Sequence, residues 1–340
     1  MRSFLKHTGV IVAFLAGLLA ILFLLSFVVN PKDNSAQAGM KDPTAMGFLG
    51  EPSNSIDVLV LGASESYSSI IPIQLWQQQG ITSYVCGSHA QRLCYSEELM
   101  KRAFDCQSPK VVILETNALY RKISFAYSLR HSLEQFMPVF RYHNRWKSLT
   151  LRDFDFTVNY NHMEVNKGYW YRSSVKSAST SKYMKPSDKT EQVSAKNRRY
   201  AERIAQFCAD HGAQLVLLST PSTKNWNAKR HNGVAKLAEE LGGEDMDLNM
   251  LREQVPIDWK TDSKDKGDHL NYNGARKVTD YLGGFLADKG VLVDHRGDAA
   301  YDSWNVCAEQ FDSMVRNDQA KRAQKEREKA LKKQQQSAQA

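Results

Sequence analysis

Asp57-Val-Leu-Val-Leu-Gly62-Ala-Ser64-Glu-Ser66 is an apolar, β-branched run that ends in glycine, passes to a serine and enters a segment able to start a helix. A short run of this kind reads as a buried strand, about 56–62. The polar residue straight after it lies at the strand's carboxyl end, where open α/β sheets take their ligands. Three more runs repeat the pattern: Ile81–Cys86 before Gly87 and Ser88, Lys110–Thr116 before Asn117, and Ala213–Ser219. Between them lie helical patterns at Leu93–Phe104, Glu191–His211, Ala228–Leu241 and Asn273–Asp288, the last carrying Val278, Leu282, Phe285 and Leu286 on one face. Short apolar strands alternating with helices predict an α/β fold, a mostly parallel sheet with helices on both faces. The stretch after Leu241 is acidic and reads as irregular.

The 340 residues are enough for a full core. Gly9–Val29 is apolar and uncharged for 21 residues, about the length that crosses a bilayer. Arg2, Lys6 and His7 precede it, which predicts a cytoplasmic amino terminus (1–7), a single-pass membrane anchor (8–29) and an extracytoplasmic remainder. A cleaved signal peptide is the competing reading. However, Ala36-Gln37-Ala38 sits well past the apolar run, and that run exceeds the 7–15 residues usual for a signal peptide's core. A linker at 30–55, the α/β domain at 56–295 and a basic, helical or disordered tail at 296–340 complete the division.

Regular alternation breaks at about 120–190. Residues 120–171 hold 13 of the 34 Phe, Tyr and Trp residues, which predicts an ordered insertion rather than a long bare loop. Such a segment can cap the strand ends or simply pack as a subdomain. The net charge of +8 is local: Arg316–Lys333 carries eight Lys/Arg against three Asp/Glu, and Arg2 and Lys6 add two. The body is therefore near neutral, which argues against a nucleic-acid partner. Cysteines 86, 94, 106, 208 and 307 form no CxxC pair, so no metal site is predicted. Cys86 and Cys208 read as small buried residues.

Ser64 and, some 200 residues later, Asp268-His269 fall at strand ends in the order Ser…Asp…His, which suggests acyl transfer through a serine ester. A serine is a weak nucleophile and needs a base, the base needs an orienting acid, and the developing oxyanion needs donors. His269 is the candidate base and Gly87, Ser88 and Asn117 the candidate oxyanion or substrate-binding residues. Each has an ordinary structural role too: Ser64 as a helix cap, His269 as a surface histidine, Asn117 as a turn residue.

Gly62-Ala63-Ser64, Gly87, Asn117 and Asp268-His269 resemble the four blocks of the SGNH (GDSL-like) hydrolases. With the anchor, the chain resembles the membrane-anchored branch that serves cell-envelope O-acylation, which includes alginate acetylation and teichoic-acid D-alanine-transfer proteins. The similarity spans roughly residues 1–290. It implies a flavodoxin-like fold, Ser64 as nucleophile, His269 as base, an oxyanion site of the Ser64 N–H, Gly87 and Asn117, and no cofactor. The implied partners are a multi-pass membrane-bound O-acyltransferase and an envelope polysaccharide or teichoic acid. The family usually has Asp before the serine, where this chain has Ala63, and Asp-x-x-His, where it has Lys266 three residues before His269. Asp265 and Asp268 are the carboxylates within reach, and either can orient the histidine. The resulting expectation is an esterase or O-acyltransferase; a non-catalytic polymer- or partner-binding subunit is the alternative.

Overall fold

The computed structural model describes residues 2–155 and 157–338; Met1, Phe156 and residues 339–340, parts of the segments 1–7, 120–190 and 296–340, lie outside the described residues. Five strands, β1 (Val58–Gly62), β2 (Ser83–Gly87), β3 (Val111–Glu115), β4 (Gln214–Ser219) and β5 (Glu244–Asp247), form one sheet in the order β2-β1-β3-β4-β5. Every pairing is parallel, with Val60 beside Val85 on one side and Ile113 on the other. The predicted α/β class holds.

Strands β1 to β4 alternate their side chains between two cores, the period-two signature of a sheet covered on both faces. Leu59, Leu61, Cys86, Val112, Leu114 and Leu217 face one core. Helices α4 (Leu93–Phe104), α7 (Ala195–Asp210) and α8 (Ala228–Leu241) close it. Val58, Val60, Val85, Ile113 and Val216 face the other. That one is closed by α2 (Ser64–Ser69), α3 (Pro72–Gln79) and α9 (Tyr272–Asp288).

Helix α1 (Arg2–Val29) carries the one candidate membrane span among the described residues, His7–Val29, 23 residues long. The insertion is ordered: α5 (Phe125–Phe136), α6 (Pro138–Tyr142) and two 3-10 turns, followed by an extended strap. Backbone bonds tie that strap to the domain, from Trp170 N–H to the Tyr67 carbonyl and from Lys176 N–H to the Ser263 carbonyl.

Three features differ from the sequence reading. The acidic stretch after Leu241 contains β5, an edge strand that polar residues tolerate because only one side pairs. The 30–55 segment is no free tether: Met40, Met46 and Phe48 are buried in the first core. The tail begins as α10 (Asp302–Ala338), and its first turns bury Trp304, Cys307, Phe311 and Val315 against α3 and Tyr169. From Gln319 onward every described side chain of that helix is exposed.

Candidate active site

In the order β2-β1-β3 the chain leaves β1 and β3 in opposite directions, which opens a crevice at their carboxyl ends. Ser64 follows β1 there as the first residue of α2, and Asn117 follows β3 in a 3-10 turn. Gly62 must lack a side chain, since a Cβ would sit 2.6 Å from that of Glu115.

The loop before α9 brings in His269. Its Nδ1 lies 2.6 Å from Asp265 Oδ2, and its backbone N–H donates to Asp265 Oδ1 at 2.7 Å. Asp268 is a worse partner, 3.9 Å from the same nitrogen. Three residues separate Asp265 from the histidine, one more than in the usual Asp-x-x-His spacing. Lys266 and Gly267 take up the extra residue in consecutive left-handed conformations, with φ of +67° and +90°. Burial works against a charged Asp265, but the hydrogen bonds from the His269 ring and N–H outweigh it and hold its carboxyl below the usual range. The other ring nitrogen, Nε2, is buried and has no hydrogen-bond partner.

Glu65 joins the two sides of the site. Ser64 Oγ donates to its Oε2 at 3.3 Å, and Asn225 Nδ2 donates to its Oε1 at 2.9 Å. The Asn117 amide donates to Oε1 as well, and Arg121 Nη2 lies 3.3 Å from both oxygens. Asn225 also reaches Asp268 Oδ1 at 2.5 Å. A Glu65 oxygen, an Asp268 oxygen and a His269 ring nitrogen lie within 4.8 Å of one another, a spacing that could hold a cation. The donor set does not fit one: the Asn225 amide bridges the two carboxylates, and Arg121 already balances Glu65.

The electrostatics keep the neighbours neutral. Glu115, fully enclosed beneath Glu65, is driven well above the usual carboxyl range, first by burial and then by repulsion from Glu65. Tyr67 has its phenol raised, again first by burial and then by Glu65. Beyond Tyr67 opens a cavity of about 490 Å³, lined among others by Gly87, Ser88, Thr44, Asn166 and Trp170. The insertion thus supplies part of its wall, and the buried Asn166 Oδ1 is unpartnered there.

Ser64, Asn117, Asp265, Asp268 and His269 are therefore one cluster, while Gly87 and Ser88 lie on its cavity side. The Ser88 N–H is already bound to Gln91 Oε1 at 2.8 Å, which takes it out of any oxyanion site. Sequence reasoning missed Glu65, Tyr67, Arg121 and Asn225. Asn225 had a signal, since it ends the polar stretch following β4, the strand-end position that singled out Ser64 and Asn117. Glu65 had none, because an acid in a first helical turn is commonplace.

No protein-family model and no curated protein matches the sequence. Solved structures that resemble it include a psychrotrophic esterase of Pseudoalteromonas sp. (9% identity, TM-score 0.36, covering 68% of this chain and 96% of that one). A lipase/acylhydrolase of Enterococcus faecalis is similar (9%, 0.37, 69% and 96%). So is a GDSL-like lipase of Bacteroides thetaiotaomicron (8%, 0.35, 69% and 88%). At these values the likeness carries no inference about this chain's chemistry.

Proposed function

We propose that this chain is a serine acyl-transfer enzyme of the SGNH type, held by α1 in a membrane with its α/β domain on the outer side. Ser64 Oγ attacks the acyl carbonyl while His269 Nε2 takes the hydroxyl proton. The leaving group departs with that proton, and the acyl group stays as an ester on Ser64. A hydroxyl of an envelope polysaccharide or teichoic acid, or water, then attacks; His269 accepts its proton and returns it to Ser64. A multi-pass membrane-bound O-acyltransferase is the donor-side partner in this reading.

The observation that carries it is the histidine: Nδ1 fixed by a charged Asp265, Nε2 buried and unpartnered at the site that holds Ser64. A buried ring nitrogen left without a partner costs stability, as expected of a group kept for a proton that arrives only during reaction. The Ser64 hydroxyl must turn from Glu65 to His269 for the first step, and such bonds commonly tighten only once substrate is bound.

The resting geometry also favours one other reading. Ser64 and the Asn117 amide both point to Glu65, as they would in a binding subunit that never acylates. Intact-protein mass after incubation of the detergent-solubilised full chain with 4-nitrophenyl acetate separates the two. One acetyl adduct on wild type, absent from Ser64→Ala and reduced in His269→Ala, is the expected result. A folded wild type without adduct or released acetate would establish the binding subunit instead.

A further inference from the structure

The insertion turns outward the side chains that a soluble domain hides. Along α5, Phe125, Leu129, Leu133 and Phe136 form one stripe at positions i, i+4, i+8 and i+11, and all are exposed, Phe125 to 77% and Phe136 to 70%. Trp146, Leu151 and Phe154 follow in the next turns, at 65%, 92% and 58%. Patches of this size and composition mark a contact surface.

Its place relative to α1 says what it contacts. The last turn of α1 packs against α6, which follows α5, and against the turns that carry Trp146 and Leu151: Val139 N–H, in α6, donates to Ser26 Oγ at 3.1 Å, and Arg145 Nη1 donates to the Val29 carbonyl at 2.6 Å. A span of 23 residues is about 34 Å long, close to the thickness of a bilayer's hydrocarbon. Ser26–Val29 therefore falls at the boundary between hydrocarbon and headgroups, and the insertion is fixed at that level. The flank of α1 from Val10 to Leu25 is exposed and apolar, so its surface runs on into the insertion. Exposed Arg130, Lys147 and Arg152 stand among the aromatic residues, the mixture found at membrane interfaces beside anionic headgroups.

We infer that the insertion lays this aromatic face on the lipid bilayer around the exit point of α1, seating the domain on the membrane surface. The inference rests on the reading of α1 as a span and is independent of the chemistry at Ser64. The occupant is lipid rather than a second protein because the face continues the lipid-facing side of the span.

Trp146 is a built-in probe. Trp76, Trp226, Trp259 and Trp304 are buried, and Trp170, 48% exposed, lines the cavity beside Tyr67, so the signal of Trp146 is the part that Trp146→Phe removes. The full chain is reconstituted in phosphatidylethanolamine–phosphatidylglycerol vesicles with or without lipids brominated at acyl carbons 6 and 7, and tryptophan emission is compared with that of Trp146→Phe. The expected result is a quenched, blue-shifted component that Trp146→Phe lacks. The double variant Leu151→Asp/Phe154→Asp should weaken the quenching while still floating with the vesicles. Equal quenching of wild type and Trp146→Phe in vesicles that retain the chain would overturn the inference and leave the face to a protein partner. A chain that does not float with vesicles at all would overturn the span reading, and this inference with it.

Discussion

The choice between Asp265 and Asp268 shows what one residue of backbone does. Asp268 adjoins His269 in sequence, yet its carboxylate is held by Asn225, and Asp265 takes the ring nitrogen instead. An extended path would carry Asp265 away from the imidazole; here two left-handed residues in succession, Lys266 and Gly267, fold it back. Gly267 is required there, since a Cβ would lie 2.0 Å from Thr223 Oγ1 in addition to the positive φ. Asp265→Asn should lower kcat/KM for 4-nitrophenyl acetate about 10³- to 10⁴-fold, the loss typical of an orienting acid changed to its amide. Asp268→Asn should cost less than about tenfold. Equal losses would show that the two acids act together. The sequence offered both carboxylates but could not rank them, because their ranking depends on dihedral angles that Lys266 gives no hint of adopting.

At the level of elements, β5 was the one strand the pattern did not reveal. Its residues, Glu244-Asp-Met-Asp247, lack apolar alternation, and pairing with β4, the burial of Met246 in the second core, the Lys289–Glu244 ion pair and the contacts of Asp247 hold it. Asp247 Oδ2 accepts from Trp226 Nε1 and pairs with His231 Nδ1, both at 2.8 Å. That arrangement leaves Asp245 at a cost. Burial first, and repulsion from Asp247 second, push its carboxyl up to about 6. A raised pKa means that the fold holds this proton more tightly than the unfolded chain does. Its penalty is absent below about pH 4, the unfolded value, and grows to its full size as pH rises past 6. Asp245→Asn should therefore match wild type at pH 4 and be more stable by about 1 to 2 kcal/mol at pH 8, allowing for partial exposure. Denaturant unfolding at the two pH values reads the difference; a gap that does not widen with pH would contradict the assignment. Helices α4, α7, α8 and α9, by contrast, were readable to within a few residues because amphipathic spacing and capping residues such as Asn227 and Asn271 are local signals.

Across the whole molecule, three segments distant in sequence meet at one buried ion pair. Lys167 Nζ, from the insertion, bonds both Glu51 oxygens at 2.8 and 2.9 Å, and neither side chain is exposed to solvent. Trp304 of α10 lies against the ammonium, 4.7 Å from ring centroid to nitrogen. The anchor-side segment, the insertion and the carboxyl-terminal helix are thereby locked to the sheet. Lys167→Ala would leave Glu51 buried without a partner and should cost about 3–5 kcal/mol, whereas Glu51→Gln/Lys167→Met together should recover most of it. Thermal unfolding of both variants checks this; a double variant as unstable as Lys167→Ala would assign the loss to packing instead. Nothing in the sequence pairs these residues, since Glu51 stands in a stretch that reads as linker and Lys167 in one that reads as insertion.

What the sequence determined by itself is whatever rests on neighbours in the chain. The parallel α/β class follows from short apolar runs alternating with helices. The long apolar helix of α1 and the strand-end positions of Ser64, Gly87 and Asn117 follow from composition and position. What only the tertiary structure decided rests on groups that the fold brings together from afar: Glu65 between Ser64 and Asn225, Asp265 rather than Asp268 on His269, α10 packed into the domain, and the aromatic insertion set around the end of α1. Local interactions are written in local sequence, whereas a hydrogen bond across 160 residues, such as that from Asn225 to Glu65, exists only once the sheet has set the distance between its strand ends.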